Sequence, residues 1–207
     1  MISSAYRFIY LHPPKTGGSS IEVILEEHSN DRRYVNPRQT NPEVFSIRGM
    51  SPRKHAGLQE YSDLLGDEIK RYKTCISVRH PFDRVVSLYF SPHAWRRRNW
   101  RGRIVGRKPK WDPDRFLQLV ARTRSAVEML TVNGNACTPD YNLRFENLRA
   151  DFVEFVSATR VPVDVQRLPH INKTAGTPDA IRRVLNDSSL RKIAEQRFSD
   201  DMAYFGY

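Results

Sequence analysis

An apolar run of Phe8, Ile9, Tyr10 and Leu11 ends at Pro13-Pro14, and after Lys15-Thr16-Gly17-Gly18-Ser19-Ser20 the residues Ile21, Ile24 and Leu25 recur at helical spacing. The run predicts a strand over Arg7 to Leu11, and the change of period predicts a helix from Ser20 with Ser19 or Ser20 as N-cap. Two glycines between a strand and a helix let backbone N–H groups close around an anion, where the helix N-terminus adds partial positive charge. Lys15 contributes a mobile cation, and Thr16, Ser19 and Ser20 contribute hydroxyl donors. The plainer alternative is a glycine-rich turn that happens to carry a surface lysine.

The rest of the chain alternates in the same way. Residues 29–53 are rich in Asn, Arg, Pro and Ser and predict a long polar connection with at most a short strand at Val44 to Ile47. Gly57 to Tyr72 predicts a helix, Thr74 to Val78 a second strand, and the residues after Pro81 a helix through Val85, Val86, Leu88, Tyr89 and Phe90. Asp112-Pro113 predicts the start of a longer helix through Phe116, Val120, Val127 and Leu130. A third strand at Leu143 to Phe145, a helix over Ala150 to Ala158, a proline-punctuated loop and a last helical region through Leu190, Ile193 and Phe198 complete the pattern. Strands alternating with helices imply an α/β fold: a three-layer domain with a central parallel sheet flanked by helices.

At 207 residues the chain is expected to form one domain. It has no apolar run of bilayer length and no secretory-type leader, and its two cysteines, Cys75 and Cys137, build neither a disulfide framework nor a four-cysteine metal site. A soluble protein of a reducing, cytoplasmic compartment is the expectation. The net charge is +11, and +8 of it lies between Ser91 and Lys110, on Arg96, Arg97, Arg98, Arg101, Arg103, Arg107, Lys108 and Lys110. Trp95 and Trp100 interleave with these cations. Segment 91–111 therefore predicts an anionic partner or a solvated basic loop.

The order of residues in the turn discriminates between phosphate sites. The triphosphate loop G-x-x-x-x-G-K-[ST] places its lysine after the glycines and a magnesium-binding hydroxyl after the lysine. Here Lys15 precedes Gly17-Gly18. Pro14-Lys15-Thr16-Gly17-Gly18-Ser19-Ser20 instead resembles the 5′-phosphosulfate loop of sulfotransferases that use 3′-phosphoadenosine 5′-phosphosulfate. Strand Thr74 to Val78 followed by Arg79-His80-Pro81-Phe82-Asp83-Arg84 and then Ser87 is similar to that family's second motif, in which an arginine and a serine eight residues later hold the 3′-phosphate. Read without the resemblance, Arg79 could form an ion pair with a carboxylate such as Asp83, and Ser87 could be a helix filler. Arg144-Phe145-Glu146-Asn147-Leu148, then Leu168-Pro169-His170-Ile171-Asn172-Lys173-Thr174 and the ending Phe205-Gly206-Tyr207 also look like bacterial-type members related to carbohydrate sulfotransferases.

The resemblance implies metal-independent, in-line transfer of a sulfuryl group to a hydroxyl or amine, probing positioning and electrostatics rather than covalent catalysis. It implies Lys15 as the cation neutralising charge on the leaving oxygen, and Lys15, Thr16, Gly17, Gly18, Ser19, Ser20, Arg79, Ser87 and Lys173 as nucleotide contacts, with adenosine 3′,5′-bisphosphate as product. A glycan or glycolipid is the implied acceptor, and segment 91–111 its recognition insert within a single 1–207 domain. His55, in Arg53-Lys54-His55-Ala56-Gly57, occupies the region where related enzymes place a histidine base, and an imidazole of ordinary pKa would serve. His12 and Glu22 are the alternative bases, Glu22 equally a helix cap. The competing function classes are a small-molecule kinase and a basic nucleic-acid-binding module.

Overall fold

A computed structural model describes residues 1–35, 45–98, 100, 104–106, 109–169 and 178–207. In chain order the elements are β1 (Ile2–Ser3), β2 (Phe8–Leu11), α1 (Gly18–Leu25), β3 (Asp31–Tyr34), β4 (Ser46–Gly49), α2 (Leu58–Leu65), β5 (Lys73–Val78), α3 (Pro81–Tyr89), β6 (Arg96–Arg98), β7 (Ile104–Gly106), α4 (Pro113–Arg122), α5 (Ala126–Leu130), β8 (Thr131–Val132), β9 (Asn135–Ala136), β10 (Tyr141–Arg144), α6 (Leu148–Thr159), α7 (Pro178–Leu185), α8 (Ser188–Arg197) and α9 (Ser199–Phe205). They gather into two compact units, Met1–Arg79 with Ala126–Asn172, and His80–Ser125 with Lys173–Tyr207.

The first unit holds the central sheet, ordered β1-β2-β5-β10, in which β2, β5 and β10 run parallel and β1 is antiparallel. The expected α/β class with a central, mostly parallel sheet flanked by helices is what forms. Register explains its core. Tyr10 pairs with Cys75, and Cys75 with Tyr141, so Phe8, Tyr10, Cys75 and Leu143 share one face. That face packs against Ile21 and Leu25 of α1 and Phe152 and Phe155 of α6. Ile9, Leu11 and Ile76, pointing the other way, are buried too, as parallel strands covered on both faces require. The Tyr10 hydroxyl, caught in this apolar layer, bonds to the Ser77 hydroxyl, and burial holds its pKa well above the usual range.

The polar connection contains more structure than its composition predicts. β3 and β4 form an antiparallel hairpin, Asp31 opposite Gly49 and Tyr34 opposite Ser46. Asp31 is fully buried, and its carboxylate accepts hydrogen bonds from the Ile2 N–H at 2.8 Å, the Ser51 N–H at 2.8 Å and the Ser51 hydroxyl at 2.6 Å. Ser51 in turn bonds to the Tyr61 hydroxyl at 2.8 Å, joining β1, the hairpin and α2. The predicted helix over Gly57 to Tyr72 is shortened at Gly66, whose φ of +54° ends α2 and begins a 3-10 turn.

In the second unit, Phe82, Val85, Val86, Tyr89 and Phe90 of the α3 region pack with Phe116 and Val120 of α4 and with Leu190 and Ala194 of α8. Arg84 and Asp201 face each other at 3.7 Å with almost no exposure, and Arg84 also donates to the Arg124 carbonyl. The helix predicted from Asp112 through Leu130 is two helices. Thr123 makes the last helical bond, N–H to the Leu119 carbonyl, and then takes an extended conformation (ψ 123°), which ends α4 before α5 starts. Asp112 caps α4 through the Arg115 N–H, and Asp187 caps α8. Within 91–111, β6 and β7 pair as an antiparallel hairpin, while Arg101, Arg103, Arg107 and Lys108 lie outside the described residues.

The Asp31 carboxylate satisfies two buried backbone N–H groups at once. Asp31→Ala is expected to lower unfolding free energy by about 2 to 5 kcal/mol, measured by urea denaturation, because both donors lose their acceptor away from water.

Candidate active site

The glycine turn is set by its backbone before any side chain is considered. Lys15 sits in the left-handed region at φ +70° and Gly17 at φ +81°. For a lysine this costs roughly 1–2 kcal/mol, so the surrounding structure must hold it there. Two contacts do so. The Thr16 hydroxyl, fully buried, donates to the Pro13 carbonyl at 2.7 Å, and the Arg79 guanidinium donates to the Lys15 carbonyl at 3.4 Å. Arg79 is itself held, stacked 4.1 Å from the centre of the Phe145 ring.

Gly17 and Gly18 are required for different reasons. A Cβ on Gly17 would stand 3.0 Å from Leu148 and 3.1 Å from Phe145, which floor the turn, and its φ is unsuited to other residues. A Cβ on Gly18 would fall 2.1 Å from Cδ2 of His12, far inside van der Waals contact with the imidazole ring. Gly17 is the N-cap, with no side-chain cap, and α1 carries no acidic residue in its first turn. The helix N-terminus is therefore not neutralised from its own sequence. Burial lowers the Lys15 pKa, and the neighbouring charge that lowers it further is another cation, Arg79. Two cations and a helix N-terminus at one turn suit an anion.

Behind the turn lies a cluster of ionisable groups. His12 and Glu22 are buried, with His12 Nδ1 3.0 Å from Glu22 Oε1, an ion-pair distance that lacks hydrogen-bond alignment. The other carboxylate oxygen is 3.6 Å from Lys54 Nζ, which also donates to the Phe45 carbonyl at 3.2 Å. Burial works against ionisation of Glu22, but His12 and Lys54 outweigh it and its pKa is lowered. Glu22 stands beyond the first turn of α1 and pairs with these side chains, so the capping alternative does not describe it.

His55 packs edge-on to His12, ring centres 4.8 Å apart, and its Nδ1 lies 2.6 Å from the His12 carbonyl oxygen. A carbonyl only accepts, so Nδ1 carries the proton and neutral His55 keeps its lone pair on Nε2. That is the tautomer a base needs. Its pKa is not the ordinary one expected from sequence: burial first, then the charge of His12, push it down to about 3.

The predicted residues thus divide. Lys15, Thr16, Gly17, Gly18, Ser19, Ser20, His55 and Arg79 lie in the first unit, around β2, α1 and the end of β5. Ser19 and Ser20 are buried within α1, which starts at Gly18 rather than Ser20. Ser87 is buried on α3 in the second unit. Asp83, the carboxylate considered for Arg79, stands 3.8 Å from Arg191. Lys173 and His170 lie outside the described residues. Sequence reasoning missed Lys54 and the part played by Phe145. The strand expected over Leu143 to Phe145 runs over Tyr141–Arg144 instead, which leaves Phe145 outside the sheet and half-exposed, free to stack on Arg79.

Because the folded pKa of His55 lies below its ordinary 6.5, the unfolded chain binds more protons between pH 6.5 and 3. Its contribution therefore erodes stability as pH falls through that window, by about 1.4 kcal/mol per pH unit near the middle. His55→Asn can still donate to the His12 carbonyl but cannot titrate. Urea unfolding at pH 6, 5 and 4 should show a shallower pH slope in this variant, and an unchanged slope would mean the imidazole is not held neutral.

A family model described as "Sulfotransferase family" matches residues 1–207. No curated protein and no solved structure matches the chain. Since the family match leaves no part of the sequence outside it, the chain belongs to the sulfotransferase family, and its reaction is transfer of a sulfuryl group.

Proposed function

We propose that this sulfotransferase takes its sulfuryl group from 3′-phosphoadenosine 5′-phosphosulfate and passes it, without a metal, to a hydroxyl or amine of a carbohydrate or glycolipid. The observation that carries the reading is the pairing of Lys15 and Arg79 at a turn whose glycines leave no room for a Cβ. Those residues fit the 5′ end of such a donor: backbone N–H groups and a helix N-terminus for the oxygens, and a cation beside them. Bound there, the phosphosulfate supplies an activated sulfuryl group whose leaving group is a phosphate oxygen.

Lys15 neutralises the charge that grows on that oxygen as its bond to sulfur breaks, and a lysine of lowered pKa also yields a proton to it more readily. His55 receives the acceptor proton on Nε2 while the new sulfur–oxygen (or sulfur–nitrogen) bond forms. Buried His12 and Glu22 are less suited to that task than His55. Arg79 and Ser87 are assigned to the 3′-phosphate, and Lys173 to the nucleotide, on their sequence motifs alone. Segment 91–111 is assigned to acceptor recognition, within one 1–207 domain, for its +8 charge and its tryptophans. Free Cys75 and Cys137 suit a reducing compartment, the cytoplasm. Among the described residues no helix is long and apolar enough to cross a membrane.

Calorimetry tests the donor. Adenosine 3′,5′-bisphosphate should bind without magnesium, and binding of ATP with magnesium in its place would sink the reading. Transfer of labelled sulfate to a panel of glycans, glycolipids and small hydroxyl compounds then identifies the acceptor. Lys15→Ala should lower kcat by roughly 10²-fold or more while weakening bisphosphate binding far less, since its partner charge develops in the transition state. Equal losses in both would refute the role of Lys15.

A further inference from the structure

We infer that Glu22 is the positioning residue of the acceptor base, fixing the orientation of His55 through His12 and supplying the negative charge that the protonated imidazole needs. The inference rests on the reading of His55 as the base. It begins from a contrast between two buried carboxylates in the same unit. Asp31 accepts two backbone N–H groups and a hydroxyl, which is what a carboxylate does when it holds a fold together. Glu22, equally buried, accepts from no backbone N–H and no hydroxyl among the described residues. Its near neighbours are two cation-forming side chains, His12 at 3.0 Å and Lys54 at 3.6 Å. Burying an ion with so little hydrogen bonding is unfavourable by several kcal/mol before its partners repay any of it.

Both neighbours lead to His55. His12 is confined on every side that the turn offers: Gly18 presses on its ring, Tyr10 lies parallel at 6.2 Å, and Nδ1 faces Glu22. A residue held in this way has a fixed backbone, and its carbonyl receives the His55 Nδ1–H at 2.6 Å. Lys54 is the chain neighbour of His55, and Glu22 draws its ammonium group inward. The carboxylate therefore anchors the acceptor of the imidazole from one side and the adjacent residue from the other.

Charge supplies the second part. When His55 takes the proton of the acceptor, the imidazolium meets three ionisable groups across this cluster. The His12 ring and Lys54 oppose the new charge, and Glu22 favours it. Without Glu22 the proton would be accepted beside two cation-forming groups with the His12 carbonyl, a dipole rather than a charge, to offset them. The proton balance is closed within the site, because it leaves the acceptor, resides on Nε2, and passes to solvent after the product departs.

The test uses Glu22→Gln in the full chain, which keeps size and hydrogen-bonding capacity and removes the charge. Nitrogen NMR of the labelled protein, with no substrate present, reads the His55 tautomer directly. The wild-type signal should show Nδ1 protonated, and the variant should show a mixture of tautomers. With the nucleotide donor and an accepted acceptor, kcat should fall roughly tenfold or more, the KM for the donor staying within about threefold, and Glu22→Asp should recover part of the loss. Unchanged His55 nitrogen signals and unchanged kcat in Glu22→Gln would overturn the inference. Should that variant fail to fold, Lys54→Gln replaces it: loss of the second group that Glu22 anchors should loosen the same ring and mix its tautomers, and an Nδ1 signal as unmixed as in the wild type would overturn the inference equally. His55→Ala keeps the two ideas apart. If it retains turnover, the base reading fails, whereas the tautomer measurement still decides whether Glu22 positions the ring.

Discussion

The space that a side chain would occupy at residue 18 is filled by the ring of His12. That close approach lets α1 begin directly against the end of β2, and most of the site depends on it. With the helix start seated on the strand end, Lys15 and Gly17 must take left-handed conformations to make the connection, and the turn closes tightly enough for backbone amides to converge. The same contact pins His12, from which the line of interactions to Glu22, Lys54 and His55 runs. A single missing methyl thus sets both the shape of the turn and the ionisable cluster behind it.

The parts of the architecture that were legible in the sequence are those in which local chemistry and tertiary role agree. Phe8 to Leu11 and Thr74 to Val78 are apolar because both faces of a parallel sheet are covered, and prolines and glycines mark where they end. The β3–β4 hairpin was not legible, since Asp31, Arg32 and Arg33 carry no apolar alternation, and the inward residue is a carboxylate satisfied by hydrogen bonds. The break between α4 and α5 comes where Thr123 leaves the helical conformation, a change that apolar periodicity does not register. In the site, the turn and its lysine could be read from residue order. The link from residue 12 to residues 22, 54 and 55 could not, because it joins positions up to 43 apart along the chain and exists only once the hairpin and α2 are in place.

Electrostatics in the first unit is organised by depth. Cations at the turn, Lys15 and Arg79, repel each other, while the cluster behind them balances His12 and Lys54 against Glu22. His55 lies at the border, kept neutral by burial yet oriented by a backbone carbonyl.

The brace between the Thr16 hydroxyl and the Pro13 carbonyl carries a consequence for the rhythm of turnover. A turn held by its own hydroxyl, its proline and a stacked arginine loses its freedom when the chain folds, and so has little left to lose on binding a ligand. On the proposed reading of the turn, an anion captured and released there would meet the loop in the same shape each time, with no cycle of melting and re-forming. The strain stored at Lys15 is in that sense a constant of the folded molecule, set once per lifetime rather than once per reaction.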